Sequence, residues 1–183
     1  MNGLEEILKT EPIAQNKNSK IYTDGYWIVK YTDDVSEYEI AKVFQGKKFS
    51  FIAEYIGAYP HDDLIGYFII KEKININKNF ENSIEKIFDL WDNEICTGAF
   101  TLDYYIRQYL NTDESLGIRG QYSIQSFSKQ LPKDLKEVFN EFLDIIEELK
   151  SNKIFFVDFN PDNFGEKNDH LALFELGKGK IKK

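Results

Sequence analysis

Asp158, Asn163 and Glu175 fall within one stretch, residues 155–177, which reads F-F-V-D-F-N-P-D-N-F-G-E-K-N-D-H-L-A-L-F-E-L-G. A carboxylate, an amide oxygen and a second carboxylate are hard donors, suited to a hard cation and to the phosphate that such a cation accompanies. The apolar runs at 154–157 and 171–174 read as two short neighbouring strands whose ends bring the three side chains together. Far upstream, Lys30 ends the apolar run Trp27-Ile28-Val29. Glu37 shares a helical face with Ile40, Ala41 and Phe44, so it points inward. Glu39 sits about 200° away on the wheel and faces water.

The elements that must hold these residues follow from pattern and punctuation. A short helix is expected over 4–9, a strand over 11–14 and a polar turn over 15–19. Strands follow over 20–22 and 26–31, with Asp24-Gly25 between them as a hairpin signal. Asp33 or Asp34 caps a helix over 35–45, which stops before Gly46. Two more strands are expected over 51–59 and 64–70. Beyond residue 74 the period changes. Ile84, Ile87, Phe88 and Trp91 predict a helix over 80–94, and a second helix is expected over 101–110. Residues 111–130 are polar, with Gly117 and Gly120, and predict a long loop. Leu135, Val138, Phe139, Phe142, Ile146 and Leu149 form one stripe of a helix over 133–150.

The composition narrows the class. The chain has 183 residues, a formal charge of −8 and 42% hydrophobic residues, so it holds enough apolar material for one domain or two small lobes. The acidic balance, with a pI near 4.9, argues against a general nucleic-acid binder. A local cationic cluster is all that ATP needs. Cys96 is the single cysteine, so no internal disulfide and no Cys/His zinc site are expected. Residues 1–20 do not read as a signal peptide and no apolar run approaches a membrane span. The expected location is the cytoplasm, with export as an effector compatible with the same sequence.

Asp158 and Asn163 have the spacing Asp-x-x-x-x-Asn of a kinase catalytic loop. At 13–177 the chain resembles the protein-kinase and aminoglycoside-phosphotransferase superfamily in the order strand, strand, strand, helix, strand, strand, then helices, then this loop. The resemblance implies an α+β, two-lobed kinase-like fold: an antiparallel N-lobe sheet with one helix at 10–74, and a minimal helical C-lobe at 75–183. It implies ATP and magnesium as cofactors. Lys30, paired with Glu37, would hold the nucleotide phosphates. Asp158 would be the catalytic residue that orients the acceptor hydroxyl, and Asn163 and Glu175 would hold the metal. Asn16 and Ser19 stand where a phosphate-covering loop belongs, with Asn18 between them. Lys71-Glu72-Lys73 follows the fifth strand, where the hinge holds adenine through backbone groups, with Glu72 and Lys73 as the residues expected there.

The sequence departs from the family in named places. Phe156-Val157 replaces the usual His-Arg, which argues against control by activation-loop phosphorylation. Glu175-Leu176-Gly177 replaces Asp-Phe-Gly, and residues 15–19 lack glycine. The chain ends six residues after Gly177, so an activation loop and further substrate-binding helices are not in it. The size is similar to that of certain bacterial effector kinases. Two functions fit: ATP- and magnesium-dependent phosphoryl transfer to a protein acceptor, or a catalytically inactive kinase-like binding protein (a pseudokinase, immunity- or antitoxin-like) that meets a basic protein partner. Neither involves nucleic acid or a membrane.

Overall fold

The computed structural model describes residues 6–15, 19–61, 66–94, 101–111, 118–155, 157–176 and 180–181. The sheet forms from β1 (Ala14–Gln15), β2 (Ser19–Thr23), β3 (Trp27–Thr32), β4 (Tyr55–Pro60) and β5 (Tyr67–Glu72). All its pairings are antiparallel and the strand order is β1-β2-β3-β5-β4, so β5 lies between β3 and β4. The turn from β2 to β3 is built by Asp24, whose carboxylate accepts the N–H of Tyr26 (2.9 Å) and of Trp27 (2.8 Å). Gly25 supplies the left-handed φ of 99° that this turn needs.

Helix α1 (Val35–Phe44) begins at Asp34, whose side chain accepts from the Ser36 N–H at 2.8 Å, and Ile40, Ala41 and Phe44 are its buried face. The helical end contains α2 (Lys78–Glu94), α3 (Leu102–Asn111), α4 (Ile118–Gln130) and α5 (Lys133–Ser151). Leu135, Phe139, Phe142, Ile145, Ile146 and Leu149 of α5 are all buried. Trp91 of α2 meets Phe127 edge-on at 5.0 Å, and Phe127 meets Phe139 at 5.3 Å, so α2, α4 and α5 share one aromatic core.

Several expectations are corrected. Residues 118–130 form α4 rather than loop, because Ile124, Phe127 and Leu131 repeat at helical spacing and are buried. The segment 51–59 is not one strand. Ile52 bridges Leu173, the Ala53 N–H reaches the Leu173 carbonyl at 2.9 Å, and β4 proper starts only at Tyr55. Strand β5 runs two residues beyond its expected end, because β3 pairs with it as far as Trp27↔Glu72. The two strands around the candidate site are not partners of each other. β6 (Ile154–Phe155) pairs with β9 (Lys180–Ile181), and β8 (His170–Leu173) pairs with β7 (Phe164–Lys167). Asn168 and Asp169, at φ 53° and 66°, close β7 to β8 as a two-residue turn. The helix expected over 4–9 and the polar turn over 15–19 lie partly outside the described residues.

Candidate active site

Lys30 sits in β3, and its side chain is 12% exposed. Its Nζ is 3.0 Å from Glu37 Oε1, which accepts its hydrogen bond, and 2.9 Å from Oε2. Glu37 reaches it because α1 turns the Ile40 and Ala41 face, and Glu37 with it, toward the sheet, while Glu39 is exposed. The same Nζ is 3.4 Å from Glu175 Oε1. Burial pulls the Lys30 pKa down, but the carboxylates of Glu175 and Glu37 outweigh it and hold the ammonium above its ordinary 10.5. Burial pushes Glu37 above its ordinary 4.5, with Lys30 opposing that push.

Strand order and this ion pair together decide the architecture. The fold is kinase-like. Its sheet carries a lysine on the third strand, paired to an inward glutamate on the helix between the third and fourth strands. No family model matches the chain, and no curated protein matches it. Among solved structures, it is similar to Rad53 residues 1–466 in complex with AMP-PNP, at 16% identity and a TM-score of 0.47, over 96% of this chain and 42% of that one. It is also similar to a thermostable mutant of aminoglycoside phosphotransferase APH(4)-Ia, at 9% identity and a TM-score of 0.42, over 97% and 71% of the two chains. A third similar structure is the GDP complex of wild-type aminoglycoside 2′-phosphotransferase-IIIa, at 12% identity and a TM-score of 0.42, over 94% and 67%. The chain thus spans less than half the length of the Rad53 chain.

The loop that carries Asp158 is set by alternation. Val157 and Phe159 are buried, at 0% and 3% exposure, so the residue between them is forced outward. Phe159 packs edge-on against Phe142 of α5 at 5.9 Å, which anchors the loop to the helical core. Asn160 caps the single 3₁₀ turn Pro161–Asn163 by accepting the Asp162 N–H at 3.2 Å. Asn163 Nδ2 then donates to the Asp158 carbonyl at 3.0 Å, and the Asn163 carbonyl accepts from the Phe174 N–H at 3.0 Å. These two bonds tie Asp158, Asn163 and the segment before Glu175 into one unit.

Glu175 has a partner that the sequence reading missed. Lys71 of β5 lies on the same face of the sheet as Lys30, by the register Lys30↔Ile69 and Ile28↔Lys71. Its Nζ is 2.9 Å from Glu175 Oε2 and donates to the Phe174 carbonyl at 2.7 Å. Burial raises the Glu175 pKa, but Lys71 and Lys30 together outweigh it and hold the carboxyl below its ordinary 4.5. The signal was the alternation Tyr67, Ile69, Lys71, which puts Lys71 on the Ile69 face once β5 is extended to Glu72.

The remaining expected residues are placed elsewhere or not placed. Asn16 and Asn18 lie outside the described residues. Ser19 opens β2 opposite Thr32 and is half-buried. Glu72 turns to the other side of the strand, where it pairs with Lys167 at 2.9 Å and accepts the Glu54 N–H at 3.1 Å. Its own N–H goes to the Glu54 carbonyl at 2.8 Å, and the Lys73 N–H goes to Tyr26 at 3.2 Å. Those two donors are therefore committed within the protein rather than offered to a base.

A cavity of about 10 Å³ lies among Lys30, Glu37, Tyr55, Lys71 and Glu175, room for a water and nothing larger. Glu37 Oε2 is buried there with the Lys30 ammonium at 2.9 Å and takes no hydrogen bond from any other group among the described residues. Magnesium, which the resemblance implies, would draw on Asn163 and Glu175. Glu175 has one oxygen on Lys71 and the other beside Lys30. The donor set in this arrangement does not fit a divalent cation held by Glu175.

Proposed function

We propose that the chain binds ATP between the sheet and the Asp158–Asn163 loop, with the ion cluster around Lys30 parting to admit the phosphates, and transfers its terminal phosphoryl group to a protein acceptor. The observation that carries the reading is the Lys30–Glu37 pair at 2.9 Å, on the kinase-like sheet and within reach of the segment that Asn163 ties to Asp158. Lys30 offers a fixed ammonium to phosphate oxygens, and Glu37 holds it in place. Asp158 is exposed at the loop, where its carboxylate can orient an acceptor hydroxyl and take its proton. The nucleotide-bound Rad53 and phosphotransferase structures accord with a nucleotide in such a cleft.

A second reading is a kinase-like binding protein without transfer. The Lys71–Glu175 pair favours it, because the acid placed for metal is already neutralised. An open cleft of about 550 Å³, lined by Glu54, Glu141 and Asp144 together with Lys167 and His170, is where this reading seats a protein partner. Transfer of labelled γ-phosphate to the protein itself or to a lysate separates the two. On the enzyme reading, Asp158→Asn keeps ATP binding while transfer falls about 10²-fold or more. Wild type that binds ATP and transfers nothing leaves the second reading standing.

A further inference from the structure

Lys71, at 4% exposure, is the most deeply buried charged residue among those described. An ammonium in a central strand is costly unless it is paired. Both of its partners, Glu175 Oε2 at 2.9 Å and the Phe174 carbonyl at 2.7 Å, come from the segment that the kinase resemblance assigns to metal binding. The other Glu175 oxygen lies 3.4 Å from Lys30. The cluster is electrically closed, with two lysines set against Glu37 and Glu175.

A divalent ion has two ways to reach Glu175, and both are opposed. Turning Oε2 toward the ion strips Lys71 of its carboxylate while it stays buried, leaving only a carbonyl to face its charge. Approaching Oε1 instead sets the ion beside the Lys30 ammonium, where like charges repel with little water to screen them. We propose, on the nucleotide-binding reading of this cleft, that Lys71 takes the metal's place at Glu175. Glu175 is then a counter-ion to two lysines and not a divalent-cation ligand, and nucleotide binding draws no strength from a magnesium held there.

The first test uses Mn²⁺ alone, followed by electron paramagnetic resonance, on wild type, Glu175→Gln, Lys71→Met, Lys71→Arg and Lys71→Met/Glu175→Gln. Wild type and Glu175→Gln should bind Mn²⁺ equally, and so should Lys71→Arg, which keeps the cation. Lys71→Met, which keeps the length and removes the charge, should gain Mn²⁺ affinity by about tenfold or more, and the double variant should lose that gain. A wild-type site that Glu175→Gln removes overturns the proposal, and so does a folded Lys71→Met with no gain. Should Lys71→Met not fold, wild type against Glu175→Gln still decides. The second test is the ATP-induced thermal shift in EDTA and in magnesium. Equal shifts support the proposal, and binding about tenfold tighter with magnesium, abolished by Glu175→Gln, overturns it. No shift in either condition sinks the nucleotide reading, while the Mn²⁺ comparison still decides the role of Lys71.

Discussion

Lys30 is the residue on which the nucleotide reading turns. Its side chain lies on the Ile69 and Lys71 face of the sheet, 12% exposed, with its charge held between Glu37 and Glu175. Lys30→Ala should therefore weaken ATP binding while the protein still unfolds cooperatively. Calorimetric titration checks the first part and a urea melt the second. Unfolding of the variant, or undiminished affinity, would show that Lys30 is structural. Its partner Glu175 carries a pH signature whose sign is fixed by its lowered pKa. A carboxyl held below 4.5 stabilises the fold fully above about pH 4.5 and loses that contribution as the pH falls through its depressed folded value. Lys30, held above 10.5, contributes fully below that value and loses its share as the pH rises through its raised one. Glu37 acts in the opposite sense, since burial raises its pKa and ionising it costs stability. The stability gap between wild type and Glu175→Gln should be widest near neutral pH and narrow below 4.5, measured by denaturation across that range. A gap independent of pH would remove Glu175 from the ion cluster.

At the scale of elements, helix α5 supports the Asp158 loop through Phe142. That ring is fully buried and meets Phe88 at 5.8 Å, Phe159 at 5.9 Å and Phe164 at 5.7 Å, so one side chain joins α2, the loop and β7. Phe142→Ala should cost about 3–5 kcal/mol, through lost burial and the cavity left behind. It should also loosen Asp158, seen as faster hydrogen exchange in 157–163. Strand β7 makes a second demand. A β-carbon on Gly165 would run into the Asn75 carbonyl and the Ile74 side chain, because Asn75 and Glu166 exchange backbone hydrogen bonds at 3.2 and 2.8 Å. Backbone cannot give way as a side-chain tip can, so Gly165→Ala should destabilise by about 1–3 kcal/mol in chemical denaturation. A change within error would mean that β7 can move away from residue 75.

For the whole molecule, the sheet and the helices are coupled by polar ties as well as by the core. The Glu148 carboxylate on α5 accepts the N–H groups of Ser50 and Phe51, at 2.7 and 2.9 Å. Lys167 on β7 reaches Glu72 at 2.9 Å and the carbonyl of Phe49 at 2.9 Å. Both ties hold the segment between α1 and β4 against the helical end. Glu148→Ala removes both bonds to the carboxylate, with water free to take the exposed Ser50 N–H, and should cost about 1–2 kcal/mol. Sheet and helices should still melt in one transition, followed together by tryptophan fluorescence and far-ultraviolet circular dichroism. Two separated transitions in wild type would show that the halves fold independently. No helix among the described residues is long and apolar enough to cross a membrane.

Local pattern by itself determined most of the elements. Strand propensity and the Asp24-Gly25 turn marked out the sheet, the Ile40-Ala41-Phe44 face turned Glu37 inward, and the apolar stripe predicted α5. Hydrophobic period is local and is visible without partners. The same signal is present in Ile124, Phe127 and Leu131, but two glycines and polar neighbours mask it, so the segment reads as a loop in sequence and as α4 in the fold. Only the tertiary structure decided pairing. Residues 51–53 join β8 rather than β4, and β7 rather than β6 partners the strand before Glu175, because backbone hydrogen bonds between distant segments leave no mark in either sequence. The site shows the same division. Asp158 and Asn163 were legible from their spacing, since five residues of chain fix their separation. Lys71 was not, since it meets Glu175 across 104 residues and its burial depends on β5 lying between β3 and β4. Charge that is buried by long-range packing must find a counter-charge, and only the folded chain shows which one it finds.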